Sequence, residues 1–132
     1  MWSKDNLQII FDTLHKFKKG DLPPTQDENI YCYEVGLLNE GATLYNHPMS
    51  KPFSKVNGSK VAIKRNNNHT IYEVAIPKES LAPFKLESGE IAGYNLIVND
   101  SDNEGRKGWI GITLGIGESL NPGLYQDLIL MK

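Results

Sequence analysis

The sequence predicts an all-β fold, an antiparallel β-sandwich of jelly-roll-like form. Three observations carry that prediction. Apolar residues recur with a period of two along most of the chain. The breaks between these runs are rich in Pro, Gly, Asn and Asp. Seven or eight short strands separated by such turns suit two packed sheets with no helical layer.

The first run, "LQIIF", sets Leu7, Ile9 and Phe11 on one face and Gln8 and Ile10 on the other. "IYCYEVGLL" alternates Tyr31, Tyr33, Val35 and Leu37 against Cys32, Glu34 and Gly36. "TIYEVAI" alternates Tyr72, Val74 and Ile76 against Ile71, Glu73 and Ala75. "GYNLIVN" alternates Tyr94, Leu96 and Val98 against Asn95, Ile97 and Asn99. Each pattern is that of a half-buried strand. Shorter strands are predicted at 42–46, 60–65, 107–113 and 124–130. Exposed loops are predicted at 18–29, which holds Pro23 and Pro24, and at 45–59. A hairpin turn is predicted at 65–69, and one helical turn at 77–84, ended by Pro83. No linker, repeat or low-complexity tract interrupts the pattern. Residues 1–132 read as one domain, free-standing or part of a larger chain.

The second face of these strands collects Gln8, Cys32, Glu34, Glu73, Asn95 and Asn99. Two readings fit. One is a solvated outer sheet face, the commoner case in antiparallel sheets. The other is a concave face that hydrogen-bonds a polar ligand. Gln8, Glu34, Glu73 and Ile97 are expected to project from the same side of one sheet.

Composition excludes other classes. Net charge is -2 with no basic cluster, which is not the footprint of a nucleic-acid binder. No apolar run approaches the roughly 20 residues of a membrane span. The first residues lack the basic and then apolar pattern of a signal peptide. The single cysteine, Cys32, leaves no partner for an intrachain disulfide.

Several motifs invite a chemical reading. In "NDSDNEGRKGWIG", Asp100, Asp102 and Glu104 alternate before Gly105, as in the first half of a calcium loop. An EF-hand needs a bidentate Glu at position 12 and flanking helices. Position 12 counted from Asp100 is Gly111, and the flanks are strands. The stretch is therefore expected to be a hairpin, with Asp100 held by turn amides or by Arg106 and with Asp102 and Glu104 in water. Calcium on Asp100 and Asp102 is the metal alternative. His15, His47 and His69 show no paired metal spacing and read as surface residues. Glu34 and Glu73 would make an acid/base pair of the glycosidase kind only on neighbouring strands. Trp2 and Trp109 are the aromatic recognition candidates, with core packing as the competing role for each. A sugar's C–H faces pack on such rings.

"WSKDNLQIIFD", "YEVAIP", "GYNLIVNDSDNEGRKGW" and "GIG…NPGLYQDLIL" follow one another in this order. The series resembles the family 9 carbohydrate-binding modules and their wider relatives, from Trp2 to about Leu130. The resemblance implies a sandwich that grips an oligosaccharide or polysaccharide without catalysis. Its setting would be an exported or surface protein of polysaccharide degradation. In such modules two tryptophans sandwich a terminal sugar while a Glu, an Arg and a Gln bond its hydroxyls. By resemblance the first tryptophan falls on Trp2, the Glu on Gln8, the Arg on Glu34 and the Gln on Ile97. The second tryptophan falls near Ile112. With Trp109 added as the other aromatic candidate, the expected ligand-binding residues are Trp2, Gln8, Glu34 and Trp109, with no cofactor. The alternative function is a protein-interaction module, for instance a homodimer formed through an uncovered sheet edge. A third is a heme-binding relative of the sandwich, using Met49 with His69 or His15.

Overall fold

The computed structural model describes residues 5–21, 27–38, 41–102 and 104–132. The fold is an all-β sandwich of two antiparallel sheets, with no α-helix among the described residues. Nine strands are described: β1 (Asn6–Asp12), β2 (Ile30–Leu38), β3 (Gly41–Asn46), β4 (Ser54–Lys55), β5 (Lys60–Asn66), β6 (His69–Ala75), β7 (Ile91–Asp102), β8 (Gly105–Gly111) and β9 (Gln126–Ile129). Every predicted strand is present. β4 is a two-residue addition inside the predicted loop 45–59. The predicted helical turn is a 3-10 turn over Lys78–Leu81. The last strand starts later than its pattern suggests. Asn121 Oδ1 accepts the Gly123 N–H at 3.2 Å and caps a 3-10 turn over Pro122–Leu124. Proline at the start of that turn lacks the N–H that a ladder would use.

The large sheet runs β4-β3-β2-β1-β7, and β8 and β9 share the far edge of β7. β9 pairs with Ile91–Tyr94 of β7, and β8 pairs with Ile97–Asp102. The small sheet is the hairpin β5–β6, with Asn66 opposite His69. Asn67 takes φ 49 in the tight turn between them. Asparagine tolerates that left-handed conformation better than most residues.

β1 lies at the middle of the large sheet, and all seven of its residues are buried. Alternation then gives two cores. Leu7, Ile9 and Phe11 join Tyr33, Val35 and Leu44 under the inner residues of the hairpin, Val61, Ile63, Tyr72 and Val74. Ile10 joins Ile30, Cys32, Ile97 and Ile116 on the second face. The run 112–125 and Phe17 cover that face, bringing Leu120 and Tyr125 onto the cluster. The second face is therefore not a solvated outer face. The run after β8 turns back over it and buries it. Among the described residues no helix is long and apolar enough to cross a membrane.

Candidate functional site

Register places the polar side chains in lateral rows on the second face. Gln8 pairs with Glu34 on one side and with Ile97 on the other. Glu34 pairs with Tyr45, and Ile97 with Gly111. One row thus reads Tyr45, Glu34, Gln8, Ile97, Gly111. A Cβ on Gly111 would meet Ile97 Cγ2 at 2.6 Å, so the isoleucine occupies the space above that glycine. The next row includes Asn6, Asn99 and Trp109.

The polar residues divide by what their side chains do. Asn99 donates from Nδ2 to Asn6 Oδ1 at 2.8 Å and accepts from Arg106 Nη1 at 3.3 Å. Asn95 donates to Thr113 Oγ1 at 2.8 Å and accepts the N–H groups of Leu96 and Thr113 at 2.9 and 3.2 Å. These are structural amides. Gln8 and Glu34 differ. They are only 2% and 3% exposed. Yet no hydrogen bond from another described residue reaches the Gln8 amide or the Glu34 carboxylate. Glu34 Oε2 lies 3.9 Å from His47 Nε2. His47 Nδ1 accepts the Met49 N–H at 3.2 Å, which leaves the proton of the neutral ring on Nε2, facing Glu34. Burial raises the Glu34 carboxyl and lowers the His47 imidazole, because each charged form loses water. Burial also pushes the Cys32 thiol up, far from thiolate chemistry.

His47 is a correction to the sequence reading. It is buried, not a surface residue. It continues the phase of Thr43 and Tyr45 one residue past β3, and its N–H bonds Cys32 O at 2.8 Å. That phase was the signal available in the sequence. Aromatic rings flank the polar row. Tyr45 stacks on Phe53 at 5.0 Å between centroids, and Phe53 is half exposed. Trp109 is half-buried on the other flank, against Gly117.

Among the expected site residues, Gln8 and Glu34 are neighbours and Trp109 lies one row away on the same face. Trp2 lies outside the described residues. Ile97 shares the row of Gln8. Ile112 does not share the face: its N–H bonds Leu96 O, and alternation from Gly111 turns its side chain to the hairpin side. Glu73 is corrected as well. It sits on β6, in the other sheet, so it neither joins Gln8 and Glu34 on one face nor pairs with Glu34 as acid and base. Of the heme candidates, His15 pairs with Asp127 at 2.7 Å, His69 ends the β5–β6 turn and Met49 follows β3; these are three separate places.

The stretch containing Asp100 and Asp102 is the β7–β8 hairpin, with a register shift between Asp100 and Ser101. Asp102 Oδ1 accepts the Glu104 N–H at 2.8 Å. Lys107 Nζ lies 3.4 Å from Asp102 and 2.9 Å from Glu104. Gly105 turns the chain at φ 118, open to glycine and strained for other residues. Asp100 is exposed, and Arg106 serves the second face, where Nη2 donates to Gly117 O at 3.0 Å. Among the described residues no three His, Cys, Asp or Glu side chains gather to hold a metal ion.

No model of a known protein family matches the chain, and no curated protein matches its sequence.

Proposed function

We propose that the chain is a noncatalytic carbohydrate-binding module, with its site on the second face of the large sheet around Gln8 and Glu34. One observation carries the reading: two adjacent polar side chains, nearly buried, whose hydrogen-bonding groups no other described residue uses. Polar groups that the neighbouring described side chains leave unserved are open to a ligand's hydrogen bonds. A sugar fits the chemistry offered. The Glu34 carboxylate accepts two hydroxyl protons, and the Gln8 amide both donates and accepts. The rings of Phe53 and Trp109 at the flanks suit the C–H faces of a pyranose. The resemblance to family 9 modules puts the same two positions in contact with sugar. It also suggests an exported or surface protein that processes glycans. The test is an array of neutral and acidic glycans, followed by titration calorimetry. Binding that Gln8→Ala and Glu34→Ala each weaken at least about tenfold supports the module. An array with no bound glycan, or binding indifferent to both substitutions, refutes it.

A further inference from the structure

Asparagine followed by glycine occurs once in the chain, at Asn57–Gly58. The pair forms the tip of the turn that joins β4 to β5. The base of that turn is fixed. Val56 is buried, and its N–H donates to Leu44 O at 2.9 Å. Ser59 closes the turn onto Val56 O, from its N–H at 3.3 Å and from its hydroxyl at 2.7 Å. The tip is not fixed in this way. Asn57 and Gly58 are both exposed. Among the described residues nothing hydrogen-bonds the Asn57 carboxamide or the Gly58 N–H. Gly58 takes φ 77, and it has no Cβ to shield its nitrogen. Other asparagines lack part of this arrangement. Asn95 and Asn99 are buried, with their carboxamides bonded. Asn46 donates to Ser54 Oγ at 3.0 Å, and the next N–H, of His47, is held by Cys32 O. Asn121 precedes Pro122, which has no N–H. Asn66, Asn67 and Asn68 are exposed, but a residue with a side chain follows each.

We propose that Asn57 is a self-modification site, where the chain converts its own asparagine to aspartate and isoaspartate through a cyclic imide. The Gly58 nitrogen gives its proton to base and attacks Asn57 Cγ. A C–N bond forms there and the Cγ–Nδ2 bond breaks, so the side-chain nitrogen leaves as ammonia. Nucleophile and carbonyl belong to adjacent residues, which removes the cost of bringing them together. Water then opens the five-membered ring. Addition at Cγ gives aspartate. Addition at the main-chain carbonyl carbon of Asn57 gives isoaspartate, with one more methylene in the main chain. Nothing is oxidised or reduced: one water enters and one ammonia leaves. Either product adds a negative charge to the net -2 of the chain, between Lys55 and Lys60. Isoaspartate also lengthens a turn whose two ends, Val56 and Ser59, are bonded to each other. The reaction uses neither Gln8 nor Glu34, so it does not depend on any ligand there.

The test is incubation of the full chain in warm, mildly alkaline buffer, followed by ion exchange and peptide mapping by mass spectrometry. An acidic form is expected to accumulate. Amide-to-acid conversion at Asn57 should be at least about tenfold faster than at any other asparagine. Its rate in the folded chain should stay within about tenfold of the rate in urea, because the turn leaves both reacting groups free. An isoaspartyl methyltransferase should label the product, since isoaspartate arises only through the ring. Asn57→Gln, at an exposed side chain, should fold as the wild type does and lose the acidic form, because glutamine would have to close a slower six-membered ring. An acidic form that persists in Asn57→Gln overturns the proposal. So does a folded chain that keeps Asn57 intact while the chain in urea converts it, or conversion to aspartate with no isoaspartate.

Discussion

Consider leucine in place of Gln8. The glutamine is 2% exposed, and no other described residue hydrogen-bonds its amide. Taking an amide out of bulk water with no bond from these neighbours costs up to about 1–3 kcal/mol. Leucine removes that cost, and its methyl groups would meet Ile97, the partner of Gln8 on β7. Burial of the new apolar surface contributes about 1–2 kcal/mol. Glu34, the neighbour on β2, opposes the gain, because its carboxylate would face a less polar surface. A net stabilisation of about 1 kcal/mol is expected, or about 3 °C in melting temperature for a domain of this size. Glycan affinity should fall at least about tenfold, since the hydroxyls bonded to the amide would lose their partner. Urea denaturation followed by tryptophan fluorescence reads the first effect, and calorimetry reads the second. A loss of more than about 1 kcal/mol would show that the amide holds the protein together. Gln8 would then be a structural amide, as Asn95 is.

Gly117→Ala should destabilise the chain by about 1–3 kcal/mol, because the new Cβ would stand 2.2–2.5 Å from the Trp109 ring; the tryptophan emission should shift with it. Asn95→Ala should cost about 2–3 kcal/mol in urea denaturation, since it strips the Leu96 and Thr113 N–H groups of their acceptor. The Glu34–His47 pair predicts opposed pH slopes between the ordinary carboxyl and imidazole values, about 4.5 and about 6.5. His47 is lowered, so the folded form resists its protonation and stability is lost as pH falls below about 6.5; Glu34 is raised, so stability is lost as pH rises from about 4.5 toward its folded value. Against the wild type, Glu34→Gln should lose stability more steeply on acidification and His47→Asn less steeply, read as urea midpoints across that range; equal slopes in all three proteins would contradict the assignment. Calcium in excess should leave the melting temperature where a chelator leaves it, because Lys107 already compensates Asp102 and Glu104; a clear rise abolished by Asp102→Ala would mean that the hairpin binds the ion.

Strand phase was legible because a strand has only two faces. Leu7, Ile9 and Phe11 against Gln8 and Ile10 could be assigned from order alone, and pairing of Gln8 with Glu34 and Ile97 followed the same phases. Membership of a sheet was not legible in that way. Glu73 has the phase of Glu34, yet it belongs to the hairpin, since phase says nothing about which strands are neighbours. Burial was not legible either. A polar face looks the same in sequence whether water or a returning loop covers it, and here the run 112–125 covers it. His47 was hidden for a further reason: it follows Asn46, where β3 ends, and precedes Pro48, so loop chemistry masked its continued alternation. Ile112, where the resemblance puts the second tryptophan, stands one residue past Gly111 of the Gln8 row, and in a strand one residue is a change of face.

β8 and β9 lie along the same edge of β7 as two parts of one broken strand. The chain between them leaves the sheet and returns. The Asn95 carboxamide closes the gap on one side, through Thr113 and Leu96. Asn121 closes it on the other, with its N–H on Gly115 O at 3.0 Å. The excursion is thus tied at its neck, and its middle carries no ladder. Residues 118 and 119, exposed at the tip, could be lengthened or exchanged while β7 keeps its register, as insertions at exposed loop tips usually permit. Such a change would reshape the tip of the cover over the second face without refolding the frame. The surface of this scaffold can therefore be altered by grafting one short segment, leaving the two sheets as a reusable chassis.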